Sequence, residues 1–237
     1  MKRRPSQDTS LGGDGDRFPE TGGDLASLLK AEPSRMEALC RRYWKPVYAY
    51  VRIAWSKGNE DAKDLTQAFF LWLMEGESLA RYDAGKGGFR AYLKVLLKRF
   101  VGHEERALHR LKRGGDARIV SLDGDVPREI AADPDAAFEK AWLDELLSGA
   151  IERVRARAAA EGKELRFQVY LARTTPPKAE RPSYKELAAR FGLKDTDVEN
   201  YLFAVREAIR EETRAALLQA TSGPREFEDE WKRLFGG

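Results

Sequence analysis

An all-α fold, in two helical lobes joined by an acidic linker, is what this sequence predicts. Three observations carry that expectation. Apolar residues recur at three-to-four spacing almost everywhere between turn signals. No alternation long enough for a strand occurs, and no internal repeat. The charge also changes sign sharply in mid-chain, where a basic block from Lys86 to Arg113 gives way to an acidic stretch from Asp116 to Glu145.

Residues 1–24, MKRRPSQDTSLGGDGDRFPETGGD, offer nothing to bury against the entropy of ordering and are expected to be a disordered tail. A first lobe covers 25–115. Its opening helix is expected over Met36 to Lys57, with Leu39, Tyr43, Val47, Tyr50 and Ile53 on one stripe. Pro46 should kink it or mark a helix start. A second helix begins at Asn59, with Asp61 and Asp64 near its positive end and Leu65, Phe69, Trp72 and Leu73 along it. The third, about Gly88 to Arg113, turns Phe89, Leu93, Leu96, Phe100 and Leu111 inward, and the glycine-rich RYDAGKGG before it reads as an exposed loop. Periodicity then disappears, so 116–135 is read as the linker. The second lobe, 136–237, holds helices near Ala136 to Ala160 and Leu165 to Arg173, a helix-turn-helix over 183–210, and a last amphipathic helix after Pro224 expected to pack on its own lobe.

Composition narrows the class. With 237 residues, 42% of them hydrophobic, the chain can bury a core, yet no apolar run reaches the roughly 18 residues a membrane span needs. The N-terminus has basic residues with no apolar block behind them, so it does not read as a secretory signal. The single cysteine, Cys40, fits a reducing cytoplasm and reads as a small buried apolar group. Two histidines, His103 and His109, stand six apart rather than at the four-residue spacing that aims two imidazoles at one zinc. No phosphate-cradling loop or nucleophile–base pair can be argued, so no enzyme, cofactor or metal is expected.

The stretch SYKELAARFGLKDTDVENYLFAVREAI is built as a helix-turn-helix. Ser183 and Glu186 form a capping box, Tyr184, Leu187, Ala188 and Phe191 a buried face, and Gly192 a left-handed stop. Val198, Leu202, Val205 and Ile209 give the second helix its core stripe. An αα-hairpin that binds nothing would share this shape. The second helix opens on Asp195, Asp197 and Glu199, unwelcome near a polyanion. A second capping box of Thr196 and Glu199, with Asp197 on the helix dipole, gives those acids a role in helix initiation. Asn200, Tyr201 and Ala204 then remain to reach a groove, and Lys185, Arg190, Lys194 and Arg206 to hold phosphates.

The basic block supplies a second nucleic-acid surface. Arg90, Lys94 and Lys98 stand four apart on one helix face, extended by Arg99, His103, Arg106 and Arg110, with Tyr82, Phe89 and Tyr92 nearby. Cations beside aromatic faces suit single strands, and a solvated basic face over core aromatics is the plainer alternative.

Three segments carry a family resemblance: YWKPVYAYVRIAWSKGNEDAKDLTQAFFLWLMEG, then RYDAGKGGFRAYLKVLLKRFVGHEERALHRLKRGG, then the helix-turn-helix. In that order they resemble a bacterial RNA polymerase sigma factor of the extracytoplasmic-function (ECF) type, over most of Leu39 to Arg214. The resemblance implies a region 2-like lobe and a region 4-like lobe. It implies core RNA polymerase as partner, through the β′ clamp and the β flap, with Asp61, Asp64, Leu65, Gln67 and Phe70 at the clamp. It implies promoter DNA as the other partner. The single-stranded −10 element would lie on Lys86, Arg90, Lys94, Lys98, Arg99, His103 and Arg106. The double-stranded −35 element would lie on Lys185, Arg190, Lys194, Thr196, Asn200, Tyr201, Ala204 and Arg206. The acidic linker would thread toward the polymerase cleft, and an anti-sigma factor is left open as a further partner. The chain departs from the family at Ala68, where Glu is frequent, at Arg99, where Asn is frequent, and at Glu199 and Tyr201, where Lys and Arg are common. The competing class is a helix-turn-helix regulator acting without polymerase, which would pair with itself to match paired half-sites. A helical interaction protein without DNA contact is a third.

Overall fold

In chain order the elements are α1 (Pro33–Ala54), α2 (Asn59–Glu75), α3 (Phe89–Gly114), α4 (Pro134–Ala160), α5 (Glu164–Thr174), α6 (Tyr184–Phe191), α7 (Asp195–Ala220) and α8 (Pro224–Phe235), with short 3-10 turns at Leu79–Arg81 and Lys178–Glu180. The computed structural model describes residues 33–55, 58–83, 86–114, 133–221 and 223–236. The expected tail, loop residues 84–85 and the linker through residue 132 lie outside the described residues. Every regular element among the described residues is helical, as the periodicity predicts.

Helix ends show where local signals act. Pro46 starts nothing: it sits inside the single helix α1, buried, and offers no N–H to the Arg42 carbonyl one turn earlier. The fourth helix starts two residues before its expected position because Asp133 caps it. The Asp133 carboxylate accepts from Asp135 N at 2.9 Å, and Pro134 fills the first turn, where no N–H is missed. In the helix-turn-helix the Ser183–Glu186 box forms in both directions, and Gly192 takes φ 67°, ψ 34°. The second box differs from expectation. Helix α7 begins at Asp195, so Thr196 lies inside it, and the Asp197 carboxylate reaches back to accept from Lys194 N at 3.2 Å.

Packing is dominated by α4. Its buried side chains, Phe138, Trp142, Leu146, Ala150 and Val154, stand four apart. Such a row drifts about 40° per step round the helix, so its two halves face different neighbours. Phe138, Trp142 and Leu146 enter a large cluster with Leu39, Tyr43 and Val47 of α1, Phe69 and Leu73 of α2, and Phe89, Leu93 and Phe100 of α3. Val154 joins Phe167 of α5 and Val205 of α7. A third cluster, Val169, Leu187, Ala188, Val198 and Leu202, holds the helix-turn-helix on α5. Each such large apolar side chain contributes about 1.5–3 kcal/mol on burial. The principal core therefore draws on residues from both sides of 115–132.

Helix α8 closes that arrangement. The expectation that it packs on its own half is met only in part. Phe227 lies with Leu217 and Ala220 of α7, but in the same cluster as Phe89 of α3. Arg42 of α1 adds a polar tie, donating from Nη2 to the Ala216 carbonyl near the end of α7 at 3.3 Å. Burial pulls its guanidinium down to about 10, still charged at neutral pH.

Candidate nucleic-acid interface

The cationic face of α3 forms, and its cations are already in use. Phe89, Leu93, Leu96, Leu97 and Phe100 turn inward, which puts Arg90, Lys94 and Lys98 on the side that meets α4 and α8. Arg90 is only 11% exposed: it donates from Nη2 to Glu230 Oε1 at 2.6 Å, and its Nε lies 3.4 Å from Glu139 Oε2. Its guanidinium carbon stands 4.0 Å from the Trp142 ring centroid, a cation–π contact. Lys94 donates to Glu139 Oε1, and Lys98 to Asp135 Oδ2 at 2.6 Å. Arg233 on α8 completes the network, 2.6 Å from Glu230 and 3.6 Å from Glu139. Burial works against the Glu230 charge, but hydrogen bonds from Arg233 and Arg90 hold its carboxyl below the usual carboxylate range.

This corrects the expectation of an open basic surface for Arg90 and Lys94, whereas Lys98, though paired, stays 53% exposed. Carboxylates from α4 and α8 hold all three. The remaining cations are exposed: Arg99, His103 and Arg106 along α3, and Lys86, which lies 3.4 Å from Asp83. His103 Nδ1 is 3.6 Å from Glu104, and Arg106 donates to the Gly102 carbonyl at 2.8 Å. The aromatics are committed to packing as well. Phe89 is 1% exposed, and Tyr82 stacks edge-on to it at 5.4 Å. Tyr92 donates its hydroxyl to the Ser78 carbonyl at 2.6 Å. Phe89 offers no face to a base, and Tyr82 and Tyr92 are each half-buried.

On α2 the candidate residues divide. Asp61, Asp64 and Gln67 are exposed and Leu65 is half-buried. Phe70 is a core residue, 4% exposed and stacked on Trp44 with centroids 5.9 Å apart, so it cannot reach a partner from this packing. Replacing Phe70 by alanine should cost about 3–5 kcal/mol of stability, a loss that a denaturant melt would read. Two side chains that the sequence reading missed extend the open face: Leu71 at 46% and Met74 at 40% exposure. Asp64, Gln67, Leu71 and Met74 are spaced three, four and three, one continuous stripe. The signal was available, because with Phe69 and Leu73 facing inward, Leu71 must face outward.

In the helix-turn-helix, Lys185, Arg190, Lys194, Thr196, Asn200, Ala204 and Arg206 are exposed. Tyr201 is not available in the same way: half-buried, it packs on the helix-turn-helix core with the Arg166 guanidinium 5.2 Å over its ring. Phe203, missed from sequence, is 66% exposed and sits between Asn200 and Glu207 on the outer face of α7. That face also carries Glu199. It is therefore less cationic than the basic side chains of the motif alone would make it.

Among the described residues, no group of three or more His, Cys, Asp or Glu side chains is placed to hold a metal, and no helix is long and apolar enough to cross a membrane. The Cys40 thiol, half-buried, is pushed up to about 11 by burial and by the neighbouring Glu37 charge, which suits an inert thiol. The chain matches no protein-family model, no curated protein and no solved structure.

Proposed function

We propose that the chain is a sigma factor of the ECF type, which binds core RNA polymerase and directs it to open promoters. On this reading the half formed by 25–115 is region 2-like and the half formed by 136–237 is region 4-like, joined by the acidic 116–135 segment. Helix α2 grips the polymerase clamp, α3 holds the melted −10 strand, and the helix-turn-helix sits on the −35 duplex. The chain itself catalyses nothing and works in the cytoplasm.

The observation that carries the reading is the open stripe of α2. Its carboxylate, amide and two large apolar side chains, Asp64, Gln67, Leu71 and Met74, stay in solvent while the opposite face of the same helix fills the core. An exposed leucine and methionine flanked by polar groups suit a surface for another protein. A polymerase-independent regulator could use such a stripe only to pair with itself, and would then be a dimer.

Charge reversal at Asp64 and truncation of Gln67 to alanine should each weaken binding to core polymerase by at least about tenfold, 1.4 kcal/mol. Both side chains are exposed, so the melting temperature should not move. Affinity can be read by fluorescence anisotropy with labelled protein. Full affinity in both variants would favour the polymerase-independent regulator.

A further inference from the structure

Glu199 is left without a task by the cap that forms in place of the expected one. Asp197, not Glu199, reaches back to Lys194 N, at 3.2 Å. Glu199 is the fifth residue of α7, beyond the first turn where the helix dipole favours an acid. Among the described residues no hydrogen bond or ion pair holds its exposed carboxylate, and none holds the side-chain amide of the neighbouring Asn200. Phe203, one turn on, is 66% exposed. Val198 and Leu202 face the other way, into the cluster that α7 shares with α5 and α6. Glu199, Asn200 and Phe203 therefore project outward together near the start of the helix that the proposed function lays on duplex DNA.

A carboxylate set against a polyanion is costly unless a donor meets it. In the major groove guanine offers two acceptors, N7 and O6, thymine offers the acceptor O4, and adenine sets its N7 acceptor beside its amino group. Cytosine alone presents a donor, its N4 amino group, with no acceptor beside it on the same base. We infer that Glu199 is a specificity-determining residue that accepts from the N4 amino group of a cytosine, while Asn200 takes an adenine close by. This rests on the proposed seat of the helix-turn-helix on duplex DNA and adds the sequence that it prefers. Residues 199 and 203 stand about 6 Å apart along the helix, roughly two base-pair steps, so the cytosine and the adenine lie within two steps of each other. The Phe203 ring covers the same steps and excludes water, which raises the penalty for an acceptor opposite Glu199. The exposed Lys194 and Arg206 supply attraction to any duplex, and Glu199 supplies the choice among them.

The test is binding-site selection by the full chain with core polymerase, from duplexes randomised across the −35 element. Wild type, E199A, N200A and E211A are compared. E211A removes one exposed charge about three turns further along α7 and controls for general electrostatics. The wild type should select cytosine at one position by at least about fivefold over guanine or thymine, with adenine selected within two steps. E199A should lose the choice of cytosine and keep the adenine, N200A should do the reverse, and E211A should keep both. On the selected duplex E199A should bind more weakly than the wild type, whereas a carboxylate that is only repelled predicts tighter binding. An unchanged selected sequence in E199A would overturn the inference, as would a gain on every duplex equal to that of E211A. Enrichment of no sequence by any form, with polymerase still bound, would overturn it too and leave the docking of α2 standing. Failure of the wild type to bind polymerase would remove the proposed function and the inference with it.

Glu199 is exposed, and its truncation leaves Asp197 capping α7, so the melting temperature of E199A should match that of the wild type. Should it fall, E199Q replaces E199A. Glutamine pairs bidentately with adenine, so E199Q should move the choice at that position from cytosine to adenine. A choice of cytosine undiminished in E199Q would contradict the inference.

Discussion

Replacing Trp142 by alanine should lower the unfolding free energy by about 3–5 kcal/mol and should destabilise helices on both sides of the linker together. Trp142 is 2% exposed and belongs to the cluster that contains Tyr43, Phe69 and Phe89, although it lies on α4. Its ring also carries the Arg90 guanidinium at 4.0 Å. Removing it leaves a cavity in a cluster to which α1, α2, α3, α4, α7 and α8 all contribute, and takes away the cation–π contact. Trp44, Trp55 and Trp72 precede residue 115, and their fluorescence reports mainly on α1 and α2. Their transition and the far-UV circular dichroism should shift to lower denaturant by the same amount, as expected of one cooperative unit. A fluorescence transition left in place would mean that the first three helices stand without α4.

The second large effect belongs to Arg90. Arg90→Met keeps an unbranched chain over Trp142 but removes the charge between Glu139 and Glu230. Breaking a buried pair by removing one partner costs about 3–5 kcal/mol. Here Glu139 and Glu230 retain 24% and 20% exposure and keep Lys94 and Arg233, which argues for the lower end, near 3 kcal/mol. Combined with E230Q the loss should be less than additive, because the second change removes the charge that the first left unpaired. The pH dependence has a defined sign. The Glu230 carboxyl is held below its ordinary value in the folded chain, so its contribution is present above the unfolded pKa of about 4.3. It is lost as pH falls through the folded value. The acid limb of the stability profile should be shallower in Arg90→Met than in the wild type.

What the sequence could and could not convey follows from the range of each interaction. The Ser183–Glu186 box, the Gly192 stop and the inward stripe of α3 from Phe89 to Phe100 are local, three to eleven residues across, and all are found. The cap of α7 failed by a shift of register: Thr196 is the better capping residue by type, but Asp197 can reach Lys194 N and the helix starts earlier. Leu71 stands opposite the Phe69–Leu73 stripe and is legible as outward, but Phe70 lies at the margin of that stripe and only its packing against Trp44 turns it inward. The partners of Arg90 lie 49 and 140 residues away, so no spacing within α3 foretells them. Periodicity identified the face that carries the cations. It could not tell that acids already occupied it.

The central claim is that this chain lends core polymerase its promoter address. Run-off transcription tests it most directly, with purified core polymerase, genomic promoter fragments and the full chain as the sole initiation factor. Discrete transcripts that require the chain, and that fade when Asp64 is reversed in charge, are the predicted result. Transcripts no different with and without the chain, across all fragments, would contradict it.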